Sequence, residues 1–148
     1  MERREFLTAV GTAAAVLSAS QAIAQTAGGG MEPGGDMHPP KYKALEESSA
    51  HCVATGNDCL RHCYGMLSMK DTSMAACTKS VHDLIAACAA LQSLAAVNSP
   101  HTAILAKAVG MICTDCQKEC EKFPQISECK ACGESCKACA DECRKLAA

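Results

Sequence analysis

The feature that most constrains this chain is the spacing of its cysteines. Cys52, Cys59 and Cys63 are separated by 7 and 4 residues, and Cys77 and Cys88 by 11. Cys113, Cys116 and Cys120 follow steps of 3 and 4; Cys129, Cys132, Cys136, Cys139 and Cys143 follow steps of 3, 4, 3 and 4. Each interval is a helical repeat, and at ~100° per residue each set spans an arc of roughly 80°. Each set therefore lines one face of one helix, and the faces can all turn toward a shared axis. Within a helix, side chains at these spacings hold their Cβ atoms ~5–6 Å apart, too far for a disulfide. The count of 13 is odd, so a plain disulfide framework would leave a thiol over.

The segments between the cysteine sets supply the helix ends. Helix formers begin at Lys41, and a first helix is predicted over about 41–69. Asp71, Thr72 or Ser73 can cap a second helix that runs to about Val97. Ser99 suits the cap and Pro100 the first position of a third helix, ending near Lys122 before Phe123-Pro124. A fourth is predicted over about Ser127–Leu146. Short loops make neighbours antiparallel. The fold expected is all-α: an up-down-up-down four-helix bundle with a cysteine-lined core. With 148 residues there is room for one such domain over 41–148. The chain has no Trp, two Phe and two Tyr, so Ala and Cys stand where large apolar residues would fill a core. A formal charge of −2 gives no footing for nucleic acid or an anionic membrane surface.

The first 24 residues read as an export signal. Arg3-Arg4 precedes Phe6-Leu7, an interrupted apolar run follows to Ala19, and Ala22-Ile23-Ala24 is a small-x-small cleavage signal. The paired arginines resemble the twin-arginine type, with departures at Glu2 and Thr8. Gly11, Thr8, Thr12 and Ser18 interrupt the run, which speaks against a permanent membrane helix. Cleavage near Ala24 would release the mature chain into the periplasm. A twin-arginine route carries folded proteins, so the thiols would meet an oxidising compartment already packed. Residues 25–40, with Gly28-Gly29-Gly30, Gly34-Gly35 and Pro39-Pro40, read as a flexible linker that also carries Met31, Met37 and His38.

His62, Met66 and Met69 follow steps of 4 and 3 near the end of the first helix, on roughly its cysteine face; Met74 starts the second helix at the same end of the bundle. Leu91, Leu94, Val97 and Leu105 collect at the opposite end. A metal-accepting mouth at the first end and an apolar plug at the second follow, although methionine also serves as plain core filler. His51 and His82 have no such pattern and read as surface residues.

Thiolates and thioethers select Cu(I), Zn(II) or iron–sulfur clusters. Zn(II) wants four ligands in a tetrahedron, and rigid helix faces make that convergence hard. Cu(I) accepts two or three thiolates, and a bridging thiolate serves two ions, so capacity can approach one Cu(I) per cysteine with the core left neutral. The run from Cys129 to Cys143 lacks the spacing and trailing Pro of a ferredoxin. Without metal, protonated thiols behave as small hydrophobes, so the bundle can fold before loading.

With these residues in view, the chain from about Tyr42 resembles the bacterial copper storage proteins. The resemblance rests on His51-Cys52, the run Asp58-Cys59-Leu60-Arg61-His62-Cys63, Met66, Met69 and Met74. It continues through Ala76-Cys77, Cys113 to Cys120, and Glu128-Cys129-Lys130-Ala131-Cys132-Gly133-Glu134 to Cys143. It implies Cu(I) held along a tube by the thirteen cysteines, with His62, Met66, Met69 and Met74 near the open end. It also implies a homotetramer, for which Ile104, Ala108 and Met111 offer a second apolar stripe, and delivery of copper to a copper enzyme or chaperone, methane oxidation being one destination. The exported members of that family likewise carry a twin-arginine signal. The alternative from the residues alone is a metallothionein-like buffer for Zn or mixed soft metals. No phosphate loop, paired-carboxylate site or nucleophile triad points to an enzyme, and rows of cysteines suggest a collective role rather than one activated nucleophile.

Overall fold

The computed structural model describes residues 37–147. The paired arginines, the cleavage signal and linker residue Met31 lie outside that range. Four helices follow in order: α1 Lys43–Ser68, α2 Ala75–Ala96, α3 Thr102–Cys120 and α4 Ser127–Ala147. Each helix packs on two others in a ring, α1 on α2, α2 on α3, α3 on α4 and α4 on α1. No contact of comparable extent crosses the diagonals, so the axis is left to side chains. This is the bundle the cysteine spacing predicts.

The helix ends differ from the sequence expectation in an instructive way. α1 closes with Lys70 N–H on Leu67 O at 2.9 Å and Asp71 N–H on Met66 O at 3.0 Å. α2 closes likewise, with Asn98 N–H on Ala95 O at 3.1 Å and Ser99 N–H on Leu94 O at 3.0 Å. Both are Schellman ends with a left-handed residue after the cap: Lys70 at φ 64° and Asn98 at φ 52°. Asp71 and Ser99 were expected to cap the next helix. Each is instead spent closing the previous one, and the next helix starts later, behind Met74 and His101. Asp71 Oδ1 still accepts the Ser73 N–H at 2.8 Å, and Ser99 Oγ the His101 N–H at 3.2 Å, so both organise turns rather than helix starts.

A left-handed lysine is strained where glycine would not be. Lys70→Gly is therefore expected to stabilise the bundle by about 0.5–1 kcal/mol. A urea midpoint shifted upward with unchanged slope would show it. Asn98 is not replaceable in the same way. Its side chain accepts the Lys41 N–H at 2.8 Å and donates to Pro39 O at 3.1 Å, fastening the entry strand to the α2–α3 turn.

All thirteen cysteines face inward and are at most 2% exposed. The rest of the core is small and unevenly placed. α2 presents Val81 and Leu84 between Cys77 and Cys88, so its middle is an apolar wall. Opposite this wall Gly56 of α1 lacks a side chain where a Cβ would sit 2.9 Å from Ile85 Cγ1, which lets α1 and α2 approach closely. At the α2–α3 end, Leu45, Leu91, Ala95, Thr102 and Ala106 are buried. Leu94 and Leu105 are half-buried there. Val97, expected in this plug, is 72% exposed because it sits at the C-cap of α2, past the last inward-facing turn.

Candidate metal centre

The inward faces bring sulfur atoms from different helices into direct contact. Cys59 Sγ lies 3.7 Å from Cys129 Sγ and 4.0 Å from Cys77 Sγ. Cys88 Sγ lies 3.8 Å from Cys113 Sγ. All thirteen thiols are free. Four groups have every sulfur within 4.8 Å of the others. Three groups hold three thiols: Cys59, Cys63 and Cys77; Cys59, Cys120 and Cys132; and Cys116, Cys132 and Cys136. The fourth holds four: Cys52, Cys88, Cys113 and Cys139, one from each helix. That layer corrects the expectation that rigid helix faces resist four-fold convergence. Diagonal helices leave room at the axis, and one inward cysteine per helix at one level fills it.

Cys59 and Cys132 each belong to two groups, so the three smaller groups form one chain of shared sulfurs along the upper bundle. The four-thiol layer shares no member with that chain. Cys129 and Cys143 complete the inward rows of α4.

Packing so many thiols together decides where charge can reside. Cys139 is held below the ordinary thiol range by S–H donation from Cys113, then from Cys143. Cys59 and Cys116 are lowered too, first by Cys120 and then by Cys132. Cys52 is pushed down to about 5, first by Cys113 and then Cys136. The donors keep their protons: Cys113 is raised chiefly through Cys139, and Cys120, Cys132 and Cys136 chiefly through Cys116. Burial alone is the leading cause at Cys63, which is raised, and at Cys129, pushed up to about 12. Every group thus contains at least one sulfur suited to carry charge, ringed by sulfurs that can yield protons as metal enters. The thiolate is the form that binds soft metal.

A pH dependence follows for the metal-free protein. The ordinary thiol value is 9.0. A raised thiol keeps its proton in the fold but loses it in the unfolded chain, so its contribution is full below 9 and is lost as pH climbs further. Above 9 the lowered thiols are ionised in both states and add no slope. Stability of the reduced, metal-free bundle is expected to fall between about pH 9 and 12. Urea unfolding at a series of pH values in a non-thiol reductant measures it; a flat profile across that window would contradict the burial argument.

The α1 end opposite the apolar residues carries the His/Met set. Met74 is 1% exposed and Met66 half-buried against the core, whereas Met69, at the C-cap of α1, is 68% exposed. His62 is half-buried, and its Nε2 is enclosed without a hydrogen-bond partner. An enclosed nitrogen of that kind lacks about 1–3 kcal/mol of compensation. Periodicity placed His62 in the set but could not reveal the orphaned atom. His51 and His82 are exposed, as their lack of pattern suggested, and His82 Nδ1 faces Asp83 at 3.5 Å. Met37 is 85% exposed in the entry strand. Sequence reasoning missed Ser49 and Ser135, both buried among the thiols. Ser49 Oγ lies 3.8 Å from Cys139 Sγ, and the Ser135 carbonyl accepts the Cys52 S–H at 3.2 Å. Their position on the cysteine arcs was the available signal.

A family model described as copper storage protein matches residues 38–148. The chain belongs to the copper storage protein family. Solved structures agree with that assignment. Copper storage protein 3 from Bacillus subtilis, in its apo form, is similar at 26% identity and a TM-score of 0.62, over 72% of this chain and 98% of that one. A Cu(I)-bound copper storage protein, BsCsp3, is similar at 25% identity and a TM-score of 0.62, over 72% of this chain and 97% of that one. The copper storage protein of Streptomyces lividans, loaded with 10 copper equivalents, shares the fold at 20% identity and a TM-score of 0.64, over 78% of this chain and 92% of that one. No curated protein matches. For this copper storage protein, the four sulfur groups are where the family's cargo has the ligand chemistry it needs.

Proposed function

We propose that this chain stores Cu(I) on its thirteen core thiolates and surrenders it later to copper enzymes. The observation that carries the reading is the continuity of the sulfur: thirteen free, buried thiols in groups that share members. A dedicated single-ion site would need three or four thiols and leave the rest without purpose. Two ligands per ion and two ions per ligand give one Cu(I) per cysteine. The thiol protons leave as Cu⁺ arrives, and the core stays neutral. Oxidation–reduction of the metal is not required, and storage rather than catalysis accounts for the site.

In this reading His62, Met66, Met69 and Met74 receive or release ions at the α1–α2 turn. Exposed Met69 would make the first contact, half-buried Met66 and His62 the next, and buried Met74 would adjoin the thiols. The signal at residues 1–24 would send the folded protein to the periplasm by the twin-arginine route, with 25–40 as linker. Ile104 and Met111, 73% and 66% exposed, with exposed Ala108 between them, would pack copies of the chain into a homotetramer. Among the described residues no helix is long and apolar enough to cross a membrane.

The test is an anaerobic titration of reduced, metal-free protein with Cu(I) against a chromophoric Cu(I) competitor. About thirteen equivalents should be taken up before the competitor colours, one for each bridging thiolate. Saturation at one or two equivalents would defeat storage.

A further inference from the structure

The sulfur groups are not equivalent. Three of them are three-thiol groups from two or three helices, a count that suits Cu(I) and leaves Zn²⁺ short of ligands. The layer of Cys52, Cys88, Cys113 and Cys139 has four, one from each helix. Each of the four is 0% exposed. A tetrahedral thiolate site with Zn–S of about 2.3 Å has an S···S edge of about 3.8 Å. Cys88 and Cys113 already stand at 3.8 Å, and no pair in the layer exceeds 4.8 Å. Contraction by an ångström or less is within reach of side-chain rotation. Ser49 Oγ, 3.8 Å from Cys139 Sγ, is placed to donate to a sulfur that becomes negative. The other polar neighbour is the Ser135 carbonyl on Cys52, whose proton would leave as the metal binds.

We propose that this layer is a single tetrahedral site for a divalent soft cation, of the Zn²⁺ class, which occupies the copper-free protein and is released as Cu(I) enters. Such an ion ties all four helices at one level, which no three-thiol group does. It would hold the bundle closed and its thiolates masked from oxidation before copper is available. Binding releases the thiol protons of the four cysteines. Displacement returns one divalent ion for the several Cu⁺ that take over the same sulfurs. The displacement half rests on the storage reading; the site itself does not.

Reduced, metal-free, full-length protein would be titrated with Co²⁺, whose tetrahedral thiolate complexes absorb intensely in the visible. The d–d bands should saturate at about one equivalent per chain and bleach when Zn²⁺ is added. One equivalent of Zn²⁺ should raise the thermal midpoint by roughly 10 °C or more. Cys113→Ser and Cys88→Ser, on different helices, should each abolish the bands, with circular dichroism confirming that they fold. Cys63→Ser and Cys129→Ser should keep them. Bands that grow past several equivalents, or survive loss of Cys113 or Cys88, would overturn the site, and wild-type protein alone can deliver the first of these results. Zn²⁺-loaded protein would then receive Cu(I) beside a chromophoric Zn²⁺ chelator. Release of about one Zn²⁺ per chain is expected; Zn²⁺ retained at full copper load would overturn the exchange. A Cu(I) capacity of one or two in the metal-free protein would defeat storage while leaving the Co²⁺ result intact.

Discussion

Replacing Cys59 and Cys132 together with Ala is expected to remove roughly half of the Cu(I) capacity, although only two thiols are lost. Cys59 belongs to the groups with Cys63 and Cys77 and with Cys120 and Cys132; Cys132 belongs also to the group with Cys116 and Cys136. The double variant therefore breaks all three smaller groups and leaves the four-helix layer whole. Each remaining group member loses a bridge and holds Cu(I) too weakly to compete with a chromophoric ligand. The matched control is Cys129→Ala with Cys143→Ala, two equally buried cysteines outside every group, which should remove only about two equivalents. Both doubles create small cavities on the order of 1 kcal/mol per site, so stability should fall comparably while capacity diverges. Equal losses of about two ions from both would mean that each thiol acts alone and that the shared sulfurs carry no special weight.

His62→Leu should separate stability from function in opposite directions. The Nε2 atom is enclosed and has no partner, so an apolar side chain of similar volume should stabilise the metal-free bundle by about 1–2 kcal/mol. If that nitrogen exists to take a passing Cu(I), uptake measured by stopped flow should slow by about tenfold or more. Final capacity should stay near its original value, because the thirteen thiols are untouched. A stabilised variant with unchanged uptake would show that His62 is a misfit in the wall and no gate. The same experiment on Met69→Leu, where the side chain is exposed, should change stability little and uptake in the same direction.

Most of the fold was legible because one signal was repeated four times. Steps of 3, 4, 7 and 11 fix both the helix and its inward face, and every cysteine placed by them is buried. The ends were harder. Asp71 and Ser99 look like N-caps to local reasoning, but a short turn gives one residue two possible employers. Which helix claims it depends on whether the residue before it enters the left-handed region, as Lys70 and Asn98 do. Lysine gives little warning of that. The site divides in the same way. Periodicity tells that thirteen sulfurs share an axis, but the height of each helix along that axis is set by packing. Gly56 against Ile85 and the apolar wall of Val81 and Leu84 are parts of that packing. Relative height decides that Cys52, Cys88, Cys113 and Cys139 meet in one layer while Cys59 is shared between two groups. Val97 was misplaced for a related reason: the angular position was right, but the helix ended beneath it.

The closed character of the α2–α3 end has a temporal consequence. With His62 at one extremity and Leu45, Leu91, Ala95 and Ala106 sealing the other, the molecule is a blind alley rather than a thoroughfare. Ions that enter and leave by one door are ordered by arrival: those admitted first lie deepest and depart last. Isotopically distinct copper supplied in two successive portions would be returned in reverse, so the protein would carry a record of its own filling history.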